Sequence, residues 1–208
     1  MRRKEFSITD RPEIEQFLSE MSFGFLGTIN EDGFPDITPL NFVYYKGSVY
    51  FHGSKIGQKF KNISHHLYVT FAVASEYALL PSYFTDPNLA CPASAFFKSV
   101  IIKGNASIID DLEEKAEVFT AFMEKLQPEG GYQPIDVNNP DYKRNLKGVM
   151  LVKISTVDIS AKFKFGQNLN ETKFNQVIAG LEKRGAEKDR QTIDYMKRLH
   201  SNKLDETK

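Results

Sequence analysis

The chain has no tryptophan, one cysteine and four histidines in 208 residues, and it has no net charge, with 27 Lys and Arg set against 27 Asp and Glu. Each scarcity excludes something. One cysteine, Cys91, cannot form an internal disulfide, and no Cys-x-x-Cys or His-x-x-x-His spacing supports a structural zinc site. His65 and His66 are adjacent, so their side chains point apart and a shared metal is not expected. The balanced charge provides no overall field toward nucleic acid or an anionic membrane. No apolar run approaches the roughly 18 residues of a membrane span. The opening MRRKEFSITD carries charge without the apolar stretch of a secretory signal, which predicts a cytoplasmic protein. Gly-x-Ser-x-Gly, Walker and Rossmann patterns are missing too, so hydrolase and dinucleotide-fold readings have no anchor.

What the chain does have is aromatic surface, 17 Phe and 9 Tyr, suited to a β-rich core or to stacking on a planar ligand. Asp10-x-x-Glu13 with Ile14, Phe17, Leu18 and Met21 at helical spacing predicts a helix over about 12–21. Strand-like runs follow at 23–30, 34–45 and 48–52, punctuated by Asp32-Gly33 and Lys46-Gly47. One or two helical turns are expected over 57–64 and a strand over 67–74. Residues 75–92, with three prolines, read as a long loop and a candidate lid or rim. A strand over 97–109, in which Gly104 could mark a bulge or bend, precedes a helix capped by Asp110 or Asp111 and running to Leu126. Residues 127–146 read as a second irregular excursion, and 149–159 as the last strand. From about Asn170 the composition turns charged and helix-forming, giving two helices broken near Gly185 and a frayed end. Six strands with peripheral helices point to a mainly β protein built on a small barrel. The basic tail residues alternate with acids, as solvated helix faces do.

The segment YFHGSKIGQKFKNI, residues 50–63, carries the clearest chemistry. A strand ends at His52-Gly53, and a helix opens near Gly57. Ser54, Lys55, Gln58 and Lys59 therefore lie close to free helix N–H groups, a set that can hold a phosphate. A solvated turn is the plainer alternative, and for His52 the plainer alternative is a strand-end histidine with one hydrogen bond. Cys91 reads as an inert thiol.

Taken in order, MRRKEFSITD, GFPDITPLNFVYYKGSVYFHGSKIGQKFKNI and FKSVIIKGNASIIDD resemble the FMN-binding split barrels related to pyridoxamine phosphate oxidase, in particular the nitroimidazole-resistance branch. The resemblance spans about residues 1–159. It implies a dimeric six-stranded split β-barrel over 1–165, a helical C-terminal extension over 166–208 packed on it, and FMN at two sites in a homodimer interface. By residue it implies a flavin-facing strand at Asp36, Ile37, Thr38, Pro39, Leu40 and Asn41, a strand end at His52 and Gly53, and a phosphate grip of Ser54, Gln58 and Lys59. Gln58 stands where the oxidase has arginine, so Lys55 or Lys61 is left to supply the missing charge. The partner subunit is expected to contribute Lys98, Ser99 and Val100, with Ser99 where the oxidase carries glutamine. A second resemblance joins KFKFGQNLNETKFNQVIAGL, residues 162–181, to the closing segment of FMN-binding negative transcriptional regulators. The oxidase ends instead with a tryptophan and an arginine that hold pyridoxal phosphate, and without tryptophan vitamin B6 oxidation is not expected. The activity implied is FMN-dependent electron or hydride transfer to a small molecule. A non-catalytic flavin-binding regulator and a haem-handling split barrel remain as alternatives.

Overall fold

A computed structural model describes residues 3–205, with side chains through Ser201. The expected frayed end falls mainly on 206–208, outside the described residues. The chain forms β1 (Ser7–Ile8), α1 (Arg11–Glu20), β2 (Phe23–Ile29), β3 (Pro35–Asn41), β4 (Val43–Tyr45), β5 (Ser48–Gly53), α2 (Gln58–His65), β6 (Tyr68–Leu80), β7 (Ser94–Ile109), α3 (Leu112–Leu126), α4 (Pro140–Gly148), β8 (Met150–Lys164), α5 (Glu171–Arg184) and α6 (Asp189–Asp205). Strand order is β3-β2-β6-β7-β8-β5-β4, with β1 added on β8. Every pairing with a described register is antiparallel. This is the split-barrel fold class expected from the sequence. The strand count rises from six to eight because the run 34–45 breaks at buried Phe42 and because Ser7–Ile8 pairs with Ala161 and Lys162.

Local chemistry sets the boundaries. Asp10 caps α1 by accepting from the Glu13 N–H, and Asp111 caps α3 through Glu114. Lys46 and Gly47 both take positive φ, 45° and 81°, the turn that joins two twisted strands through two residues. Gly104 is not a bulge, since β7 runs through it unbroken. A Cβ there would lie 2.4 Å from the Ser155 carbonyl oxygen, so glycine is what lets β8 approach.

Two expected irregular segments are ordered. β6 continues to Leu80, burying Tyr77, Ala78 and Leu80, and a short 3-10 turn at Ser82–Phe84 follows, so the candidate lid over 75–92 is mostly strand and turn. Within 127–146, Asn139 accepts from the N–H groups of Asp141 and Tyr142, with Pro140 in the first helical position, and starts α4. An asparagine cap before proline is a helix-start signal that the clustered Pro and Gly obscured.

The chain divides into two compact units, one of 1–9, 74–99 and 161–208, the other of 10–73 and 100–160. The first, the tail unit, has its core at Phe96, Phe163, Phe165, Val177 and Met196. In the second, the barrel unit, Leu26, Phe51, Phe71, Ile102, Leu151 and Ile154 are buried, and α3 packs Val118 and Phe122 against Tyr50 and Leu151.

Candidate functional site

The site grows from the junction of β5 and α2 in the barrel unit. Alternation along β5 sends Phe51 into the core and His52 to the α3 side, where its ring lies 5.3 Å from Phe122, edge-on, and 5.4 Å from Phe119. The ring keeps an exposed edge, but its burial against the phenyl rings pushes the imidazole pKa down, and the Lys59 ammonium pushes the same way. His52 is therefore neutral at pH 7. It opens into a cavity of about 270 Å³ lined by Phe119, Met123, Ile135, Tyr142, Leu146 and Val149, an apolar wall contributed largely by α3 and α4.

Gly53 comes next, and its lack of a side chain is used. A Cβ would meet Lys59 Cε at 3.1 Å and Nζ at 3.2 Å, so the lysine lies across the glycine. Gly57 caps α2 with no side-chain acceptor, leaving the first N–H groups of the helix available to a ligand. Ser54 sits between, its Oγ accepting from the Ile56 N–H at 3.4 Å. One ammonium group, one hydroxyl and an uncapped helix start thus converge, and the set fits a phosphate.

The Gln58 amide is engaged within α2. It donates to Asn62 Oδ1 at 2.9 Å, while Asn62 Nδ2 donates to Thr28 Oγ1 at 2.9 Å and to Asp36 Oδ2 at 2.8 Å. Asn62 and Thr28 are buried. This network fastens α2 to β2 and β3 and makes Asp36 a positioning residue. Nothing in the sequence pattern singles out Asn62 or Thr28, because their role exists only once helix and strands meet.

The rest of β3 divides by face. Thr38 and Leu40 share the half-buried side with Asp36, whereas Ile37, Pro39 and Asn41 are exposed. Ile37 lies opposite Gly27 and Pro39 opposite Phe25, so they continue an exposed apolar strip of Phe23, Phe25 and Ile29 on β2. Of the three residues expected from β7, Ser99 is partly open, while Lys98 and Val100 point inward and are buried. In the tail unit the Lys98 ammonium lies 3.8 Å from the Tyr195 ring centroid, 4.6 Å from Phe163 and 5.5 Å from Tyr77. An aromatic enclosure of this kind holds a cation inside a core. Among the described residues no group of three or more His, Cys, Asp or Glu could hold a metal, and no helix is long and apolar enough to cross a membrane.

With this arrangement in place, the sequence matches the family described as pyridoxamine 5'-phosphate oxidase over residues 10–163, and the chain belongs to that family. A relative described as protease synthase and sporulation protein PAI 2, from Bacillus subtilis (strain 168), is 30% identical over 188 residues, covering 86% of this chain and 87% of the relative. Among solved structures, one described as a 5-nitroimidazole antibiotic resistance protein from Bacteroides thetaiotaomicron superposes with a TM-score of 0.59 at 20% identity, covering 75% of this chain and 85% of that one. The flavocytochrome Anf3 from Azotobacter vinelandii gives 0.62 at 22% identity, with 76% and 69% covered. These two likenesses establish the fold.

Proposed function

We propose that the protein is an FMN-binding flavoprotein and, most directly, an FMN-dependent oxidoreductase acting on a small molecule. The observation that carries this reading is the convergence of Lys59, Gly53, Ser54 and the uncapped start of α2 beside His52. Family membership and neighbours described as flavoproteins, such as the flavocytochrome, support it. Bound FMN would supply the electron or hydride chemistry. This chain's residues would do the rest: Lys59, Ser54 and the helix N–H groups hold the phosphate, and Asn62 keeps α2 in register with Asp36. Neutral His52 would offer one hydrogen bond at the mouth of a largely apolar cavity.

The exposed strip of Phe23, at 49%, Phe25, at 43%, and Ile37, at 63%, supports a homodimer, since a second copy would bury apolar surface that water otherwise covers. We also place the protein in the cytoplasm, which cell fractionation tests.

A second reading, a flavin-binding regulator without turnover, has one observation in its favour. The part of the chain outside the Bacillus subtilis match is shorter than the segment after Phe163, so the likeness to that relative enters the tail. An absorption spectrum distinguishes flavin, with bands near about 370 and 450 nm, from the Soret band of the haem alternative. Steady NAD(P)H consumption with an added acceptor then favours the enzyme over the regulator.

Lys59→Ala tests the site itself. A charge-assisted hydrogen bond contributes on the order of 1.5–3 kcal/mol, roughly ten- to a hundredfold in affinity. Fluorescence titration of apoprotein should show FMN weakened by about that factor and riboflavin, which lacks the phosphate, hardly changed. Equal weakening of both flavins, or of neither, overturns the phosphate assignment.

A further inference from the structure

The run from Lys162 to Asn168 has no part in the site at α2, yet it builds one wall of a second cavity, of about 340 Å³, within the tail unit. Alternation along β8 buries Ala161, Phe163 and Phe165 and turns Lys162 and Lys164 the other way. Gly166, at φ 84°, then reverses the chain. Gln167 braces this turn, accepting from the Phe165 N–H at 2.8 Å and donating to the Phe163 carbonyl at 2.6 Å, and Asn168 and Leu169 are delivered to the cavity wall.

The lining is two-sided. Leu80, Pro81, Phe84, Phe96, Leu169 and Val177 make an apolar body, while Lys164, Lys173, Ser94 and Asn168 provide donors, and among the described residues no Asp or Glu lines it. Lys164 Nζ donates to the Ser94 hydroxyl, a neutral partner that leaves the positive charge uncompensated. Burial pushes the Lys164 pKa down, and the like charges of Lys162 and Arg3 add to it. A negatively charged ligand group would offset these costs by direct attraction to the ammonium.

We propose that this cavity binds a small carboxylic acid with an apolar body, its carboxylate held by Lys164 and Ser94 and its hydrocarbon part among Phe84, Phe96 and Val177. The volume lies at the small end of ligand pockets, room for a single ring or a short acyl chain. A phosphate dianion is a poorer match, because Lys173 and Asn168 are exposed to water and the half-buried Lys164 with Ser94 would leave most of its acceptors unsatisfied. The site stands apart from the flavin reading and survives its failure.

Cys91 supplies the test, since it is the chain's one cysteine, is exposed and lines this cavity. Its modification by the neutral reagent 4,4'-dithiodipyridine is followed in the full-length protein with increasing benzoate, benzyl alcohol or inorganic phosphate. Benzoate should slow the reaction saturably, and the other two should not at equal concentration. Lys164→Met should raise the half-protecting benzoate concentration by roughly tenfold or more. Lys173→Met should raise it only a few-fold, since that side chain is exposed. Leu169→Trp, which fills the apolar part and keeps both lysines, should abolish protection, so the proposal stays testable if Lys164→Met does not fold. The proposal is overturned if benzoate gives no saturable protection, if benzyl alcohol or phosphate protects as well, or if protection is unchanged in a folded Lys164→Met or Leu169→Trp variant.

Discussion

The two compact units fasten a helix to their strands differently, the barrel unit through a buried side-chain amide and the tail unit through aromatic packing beside hydrogen bonds from Arg184 and Lys188 to the Leu79 and Glu76 carbonyls. In the barrel unit the side-chain amide of Asn62 ties α2 to Thr28 and Asp36, and every bond has a fixed direction and a fixed partner. In the tail unit Tyr195 of α6 lies over the Lys98 ammonium and packs on Phe165 at 4.9 Å, contacts that depend on area and proximity. Buried hydrogen bonds leave an unsatisfied group behind when one member changes, whereas aromatic packing loses energy in proportion to what is removed. The helix that carries Lys59 and the proposed phosphate grip has the less forgiving anchor.

Asn62→Asp should show this most strongly. It puts a second carboxylate beside that of Asp36 and removes the donor, at a cost of about 3–5 kcal/mol for an uncompensated buried charge. Urea unfolding gives the loss, and a change within about 0.5 kcal/mol would show that the network does not hold α2.

A half-buried lysine of the barrel unit sharpens the contrast with Lys98. Lys125 Nζ donates to the carbonyls of Leu18, at 3.2 Å, and Phe42, at 3.5 Å, and lies 4.5 Å over the Phe42 ring. Burial lowers its pKa to about 8 from 10.5. Between those values the unfolded chain keeps a proton that the folded chain has released, so stability rises with pH across the window. Because the side chain keeps part of its hydration, the rise is smaller than the full shift would give, on the order of 1–2 kcal/mol. Lys125→Met should flatten it in urea midpoints measured from pH 7 to about pH 10.5, and an identical slope in the variant would mean that Lys125 is not the source.

Tyr195→Leu should cost about 1–3 kcal/mol, from the lost cation–π and ring contacts together. Tyr195→Phe, which keeps the ring, should stay within about 0.5 kcal/mol. If the two variants lose equally, the hydroxyl and not the ring holds α6, and the comparison between the units fails.

Much of the local structure was legible. The Asp-x-x-Glu start of α1, the Gly-containing turns and the Gly185 stop of α5, whose φ is 62°, follow from chemistry within a few residues. So does the order His52, Gly53, Ser54, Lys59. α4 was hidden because its Asn139-Pro140 start lies among prolines and glycines that otherwise mark loops. The length of β6 was hidden because Pro81 and Pro87, which follow it, made the whole stretch look irregular.

The site divides in the same way. The sequence by itself determined a mainly β small barrel, the strand-to-helix junction at residues 52–59 and the lysine at its helix start, because alternation and turn residues act over short separations, and the split-barrel class followed from the family resemblance. Tertiary structure alone decided that Gln58 faces Asn62, that Asp36 positions a helix, that His52 is desolvated by Phe119 and Phe122, and that Lys98 points inward. Those outcomes depend on which residues distant in the chain share a face, and the free energy of a buried polar group is set by neighbours that local sequence does not name.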